Sequence, residues 1–153
     1  MSFFTDATAA AVTTGQTATQ NTTAIQTVLD SGDHCYIPRG GPYSINPGIL
    51  FKVERQRLYG PGQLSASLRP VGSGTFISTN GQNGCRIEGL RFWGYNNDSS
   101  LSMSGGYVIA VDGRPTYGST AFQSARTDIY DIEITAATGG IYISDHVELK
   151  IED

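Results

Sequence analysis

The feature that most constrains this chain is a unit that recurs at changing intervals. Leu58 opens "LYGPGQL", Ile87 opens "IEGLRF" and Ile129 opens "IYDIEI". The last two superimpose position by position, with Ile87 on Ile129, Leu90 on Ile132 and Phe92 on Ile134. Each unit is followed by a second short strand pattern: "TFIS" from Thr75, "YVIAV" from Tyr107 and "IYIS" from Ile141. "VELKI" from Val147 starts the pattern again, so the openings lie 29, 42 and 18 residues apart. Those intervals are too irregular for hairpins of fixed length and suit coils with a constant strand core and variable loops. One unit cannot bury its alternating Ile, Leu and Phe alone, whereas stacking units at about 4.8 Å joins the stripes into one core. The expectation is an all-β chain built as a parallel solenoid.

Composition agrees. The 153 residues suit one domain, and 19 glycines with only 16% charged residues point to many turns and short strands. The net charge of −4 divides unevenly: residues 1–76 carry five basic and four acidic side chains, residues 77–153 five basic and ten acidic. No basic stripe is present, so nucleic acid is not an expected partner. The first Lys or Arg is Arg39, so no signal peptide is expected. No apolar run approaches the roughly 20 residues of a membrane span, so no membrane insertion is expected. Cys35 and Cys85 each fall inside an apolar strand pattern and read as small buried thiols, not as a disulfide framework or metal cluster. No metal or other cofactor is expected.

Residues 1–20, rich in Ala, Thr and Gln, read as an N-terminal arm, in which Phe3 and Phe4 could anchor the chain in a partner's groove. Residues 21–153 hold the structured part. In "NTTAIQTVLDSGD", Asn21 or Thr22 can cap a helix whose Ala24, Ile25, Val28 and Leu29 share one face, and Gly32 ends it. A lone amphipathic helix before a strand series can cover the open end of a sheet. At the other end "VELKIED" stops on a strand, so the expectation there is either a longer chain or cover by another subunit.

The run "NTTAIQTVLDSGDHCYIPRGGPYSI" followed by "RLYGPGQL" resembles the opening of the pectate-lyase-like right-handed β-helices. The positions that carry the likeness are Ala24, Ile25, Gln26 and Leu29, then Tyr36, Ile37, Pro38, Tyr43 and Ile45, then Gly60, Gly62, Ile87, Gly89, Leu90 and Phe92. In style it is similar to bacteriophage tailspikes and tail fibres. The resemblance implies a right-handed parallel β-helix with an N-terminal capping α-helix and an extended arm. It also implies a virion protein of the adsorption apparatus, located at the phage tail or head-tail junction and assembled as a homotrimer. The arm would bind tail or head proteins, and the β-helix would support recognition of host surface polysaccharide. Two other roles stay open: a polysaccharide depolymerase, lyase or glycoside hydrolase, with its site in later coils or between subunits, and a capsid decoration protein. No lyase-type calcium cluster or catalytic Arg motif can be matched, so no catalytic residue carries over.

From the residues themselves, Asp131 and Glu133 are the weak catalytic candidates. Two residues apart on one strand face, their separation of about 7 Å would suit an inverting glycosidase pair, unless Asp131 occupies a turn like its aligned Gly89. Asp112 and Asp128 read as turn formers, as do His34 and His146 beside their Asp neighbours. "NGQNG" at Asn80–Gly84 reads as a corner, not a phosphate cradle. Two insertions, 93–106 and 112–127, interrupt the pattern. Their Trp93, Tyr95, Asn96, Asn97, Arg114 and Tyr117 have the composition of a sugar platform or a subunit contact, or Trp93 packs over its own corner.

Overall fold

The computed structural model describes residues 6–8, 12–112, 126–135, 138–144 and 148–152. Among the described residues one helix, α1 (Ala18–Asp30), precedes almost all of the strands. The strands are β1 (Asp6–Thr8), β2 (His34–Tyr36), β3 (Gly40–Ile45), β4 (Ile49–Leu50), β5 (Arg57–Tyr59), β6 (Ala66–Pro70), β7 (Gly72–Ser78), β8 (Cys85–Trp93), β9 (Met103–Asp112), β10 (Arg126–Thr135), β11 (Ile141–Ser144) and β12 (Glu148–Glu152). They form two parallel sheets. The larger runs β1-β2-β5-β8-β10-β12, with β3 and β6 joined beside β8, and the smaller runs β11-β9-β7-β4. The fold is mostly β, as the alternating pattern implied.

Register turns the sequence repeat into continuous rows of side chains. Cys35, Leu58, Ile87, Ile129 and Ile151 lie in line across the larger sheet. Tyr43, Leu68, Phe92 and Ile134 form a second row, and Ile49, Ile77, Ile109 and Ile141 a third in the smaller sheet. Most of these residues are fully buried and belong to one core. The expected fourth opening is corrected: the partner of Ile129 is Ile151, 22 residues on, because β10 and β12 pair in register from Arg126 with Glu148 to Tyr130 with Glu152, while Val147 lies outside the described residues. Burial also pushes the Cys35 and Cys85 thiols up to about 12, which keeps them protonated and inert.

Between the first and second rows the larger sheet bends, and within β8 and β10 the inward parity switches from odd to even residues. In β8, Ile87 is inward before the bend and Leu90 and Phe92 after it. Gly89 makes the switch with φ 64°, and Asp131, aligned with it in β10, does so with φ 51°. Just after β5, Gly60 approaches so closely that an added Cβ would lie 2.6 Å from the Gly89 carbonyl oxygen. The expected corner at "NGQNG" is a tight turn, with Asn80 and Gly81 both at positive φ.

The helix begins earlier than Asn21 or Thr22. Thr17 is its N-cap, in a capping box with Gln20: the Thr17 hydroxyl accepts from Gln20 N–H at 3.2 Å, and the Gln20 amide oxygen accepts from Thr17 N–H at 3.0 Å. That frees Asn21, which is buried and binds the Thr13 backbone and the Ser44 carbonyl. The presumed arm is correspondingly shorter: Val12 is buried, and Asp6–Thr8 pairs with β2 as an edge strand. The buried Asn21, Ile25 and Leu29 fall four apart, which is why one helix face packs on β2, β3 and β4.

Buried Gln56 ties the helix end to the strands beyond it. Its amide oxygen accepts from Lys52 and Val53 N–H at 2.7 and 3.0 Å, and its nitrogen donates to the Leu29 and Asp33 carbonyls at 2.8 and 3.1 Å. Gln56→Leu keeps the bulk but orphans all four backbone groups. We expect it to cost about 3 kcal/mol in urea denaturation, since each buried unsatisfied group costs about 1–3 kcal/mol. A loss below about 1 kcal/mol would show that the tie carries little of the fold.

Candidate functional site

Inward positions in the larger sheet send their neighbours outward, and the bend divides that outer surface in two. Before the bend stand Tyr36, Arg57, Tyr59, Arg86, Glu88, Asp128 and Tyr130. The Tyr36 and Tyr59 rings are 5.2 Å apart, and the Arg57 and Arg86 guanidinium groups lie 4.6 and 5.5 Å from the Tyr59 and Tyr130 ring centres. Glu88, only 6% exposed, is bound by Arg57 and lies 3.8 Å from Arg86. Its hydrogen bond, followed by burial, pushes the Tyr130 hydroxyl above its ordinary value. Asp128 is 3.3 Å from both Arg86 and Arg126, so it is an ion-paired strand residue and not a turn former. The acids of this half are already matched by arginines, which leaves it poorly suited to a charged ligand.

After the bend the surface opens into a cleft of about 320 Å³. Gly40, Gly41 and Pro42 line it from β3, Gln63, Leu64, Ser65 and Ser67 from the approach to β6 and its first turn, and Arg91 and Trp93 from β8. Ala66 and Leu68 point into the core, which turns Ser65 and Ser67 outward. Leu64 is 84% exposed. Among the described residues, none bonds the side chains of Gln63, Ser65 or Ser67, so their amide and hydroxyl groups face the cleft uncommitted. Arg91 lies 4.3 Å over the Trp93 ring, Trp93 meets Tyr95 edge-on at 5.5 Å, and Arg91 binds Glu133 at 3.0 Å.

The expected site residues distribute as follows. Trp93 is the last residue of β8, paired with Thr135, and not part of an insertion. Tyr95 packs beside it. Asn97 accepts from Arg69 at 3.2 Å, while Asn96 staples its own loop, donating to the Ser100 hydroxyl at 3.1 Å and the Leu101 carbonyl at 3.3 Å. In the same loop, hydrogen bonds from the Ser100 hydroxyl and N–H hold Asp98 below its usual range. Arg114 and Tyr117 lie outside the described residues, as do Phe3, Phe4 and His146.

Asp131 and Glu133 do not line the cleft, but each contacts a residue that does. The Asp131 carboxylate sits 3.4 Å from Gln63 N–H, and Glu133 accepts from Arg91 and from the Thr135 hydroxyl at 2.9 Å. The positive φ of Asp131 breaks the simple two-residue alternation that would align it with Glu133 on one face. Sequence reasoning missed Gln63, Ser65, Ser67 and Arg91. The outward parity of "QLSASL" was the available signal, but nothing in it marks those residues as neighbours of Trp93.

Among the described residues, no group of three or more His, Cys, Asp or Glu is placed to hold a metal ion, and no helix is long and apolar enough to cross a membrane. No family model, curated protein or solved structure matches the chain.

The bend supplies a direct test. Asp tolerates left-handed backbone better than β-branched residues. Asp131→Asn is therefore expected to leave stability within about 0.5 kcal/mol, and Asp131→Val to cost about 1–3 kcal/mol, both read by urea denaturation. Equal stability of the two variants would remove the conformational role.

Proposed function

We propose that the two parallel sheets are the opening coils of a right-handed parallel β-helix, and that the chain is a structural virion protein of the bacteriophage tailspike or tail-fibre type. In this reading it assembles as a homotrimer, its N-terminal residues with Phe3 and Phe4 attach to tail or head proteins, and its outer face meets host surface polysaccharide. The observation that carries the glycan part is the cleft beside Trp93. A half-exposed indole stands across from uncommitted amide and hydroxyl side chains, the combination that suits a sugar ring with an apolar face and hydroxyl rim. The in-line parallel rows support the solenoid, and the outer position of the cleft suits contact with an extended chain.

A second reading has one observation in its favour: Asp131 and Glu133 are carboxylates in contact with Gln63 and Arg91, two residues that line that cleft. Their engagement by Gln63 and Arg91 fits a positioning role better, so the structural role is preferred.

Binding of the protein to host surface polysaccharide, measured by calorimetry, is expected to weaken about tenfold or more in Trp93→Ala with the fold retained. Unchanged binding in that variant would sink the cleft as the contact. New reducing ends or unsaturated products that vanish in Asp131→Asn would replace the structural reading with the enzymatic one. Mass by light scattering tests the trimer, and a monomer at working concentration argues against it.

A further inference from the structure

We propose that Glu133 sets the charge preference of the Trp93 cleft, so that the cleft takes an uncharged sugar ring and rejects a carboxylated one. The inference rests on the carbohydrate reading of the cleft and deepens it.

A cleft that holds a carboxylated sugar needs a cation whose charge is not already matched, most often an arginine. Among the described residues Arg91 is the arginine that lines this one, and its charge is met by a carboxylate, while its unpartnered Nε is buried away from a ligand. Its Nη2 lies 3.0 Å from Glu133 Oε1, and its guanidinium carbon lies 4.3 Å from the centre of the Trp93 ring. Glu133 is itself fixed. It is the register partner of Arg91 on the adjacent strand, and the Thr135 hydroxyl donates to the same oxygen at 2.9 Å. Neither side chain has to search for the other, so the pair is preorganised. The nearby Arg69 is turned toward the insertion, giving its Nη2 to Asn97 at 3.2 Å.

An incoming carboxylate at Arg91 would compete with Glu133 while lying close to its charge, and Asp131, 3.4 Å from Gln63 N–H, adds a second negative group beside a lining residue. The lining side chains that carry no charge and no bond to another described residue are the Gln63 amide and the Ser65 and Ser67 hydroxyls, which share the cleft with the indole. An uncharged pyranose uses all of them without breaking an ion pair.

The test compares neutral hexose oligosaccharides with uronic-acid oligosaccharides of matched length, by calorimetry on the full chain at low and high salt. The wild-type protein is expected to bind the neutral set more tightly, with affinity changing less than about twofold between 20 and 500 mM NaCl, since no net charge is exchanged. Glu133→Gln leaves Arg91 without its carboxylate. It should raise affinity for the uronic-acid set about tenfold, in a salt-sensitive way, and leave neutral binding little changed.

Tighter, salt-sensitive binding of uronic acids by the wild-type protein overturns the proposal while the carbohydrate reading stands. An unaltered preference in folded Glu133→Gln overturns it too. If neither class binds at any salt concentration, the carbohydrate reading itself fails and the proposal falls with it. The wild-type comparison needs no substitution, so the proposal stays testable even if Glu133→Gln does not fold.

Discussion

The structure depends on how the first open edge of its parallel sheets is satisfied. A parallel strand at an edge leaves a row of N–H and C=O groups without partners, and each one buried and unmet costs about 1–3 kcal/mol. Here α1 meets that row with side chains rather than with another strand. Asn21 donates to the Ser44 carbonyl at 3.0 Å, the Thr22 hydroxyl accepts from Asn46 N–H at 2.8 Å, and Gln26 closes both Leu50 groups at 2.8 and 3.1 Å. The same face of the helix buries Ile25 and Leu29 against the core. Beside it, β1 covers the edge of β2. Cap and first core layer are thus one unit, with Gln56 joining its far end to the strands that follow.

Once that edge is set, register carries the order across the sheet. Each row of inward side chains aligns the next strand, because a slip of one residue would turn its apolar face outward. The bend at Gly60, Gly89 and Asp131 is where the rule is deliberately reset, since the inward parity differs on its two sides. The bend also divides the outer surface. Before it, arginines and carboxylates pair among tyrosines and close over one another. After it, the chain at 62–67 departs from the strand path, and the cleft opens between that segment, β3 and β8.

The proposed glycan contact and the proposed charge preference both follow from that division. Trp93 and Arg91 project from the same face of β8 because they are two residues apart, and Glu133 reaches Arg91 because β10 is paired in register beside it. The cleft is therefore walled by strands β3, β6 and β8 together with the turn residues Gln63, Leu64 and Ser65.

Much of this was legible in the amino-acid order. Alternation and the superposition of "IEGLRF" on "IYDIEI" marked the cores of β8 and β10 and their inward residues, because burial leaves a local periodic trace, whereas the starts of β9 and β10 fell inside the expected insertions. The apolar face of the helix was legible for the same reason. Its start was not, since Thr17 and Gln20 sit in an Ala/Thr-rich run where several residues could cap and only packing of Asn21 selects one. Nor was the fourth opening, because Val147 and Ile151 are equally apolar and only strand pairing chooses between them. The site was half legible: the composition around Trp93 marked it, but Gln63 and Ser65 come from a turn and Ser67 from β6, all tens of residues earlier, and Arg91 with Glu133 looked like ordinary outward charges. Local sequence determines which way a side chain points. Which side chains then face each other depends on lateral pairing between strands tens of residues apart, and that was decided by the tertiary structure.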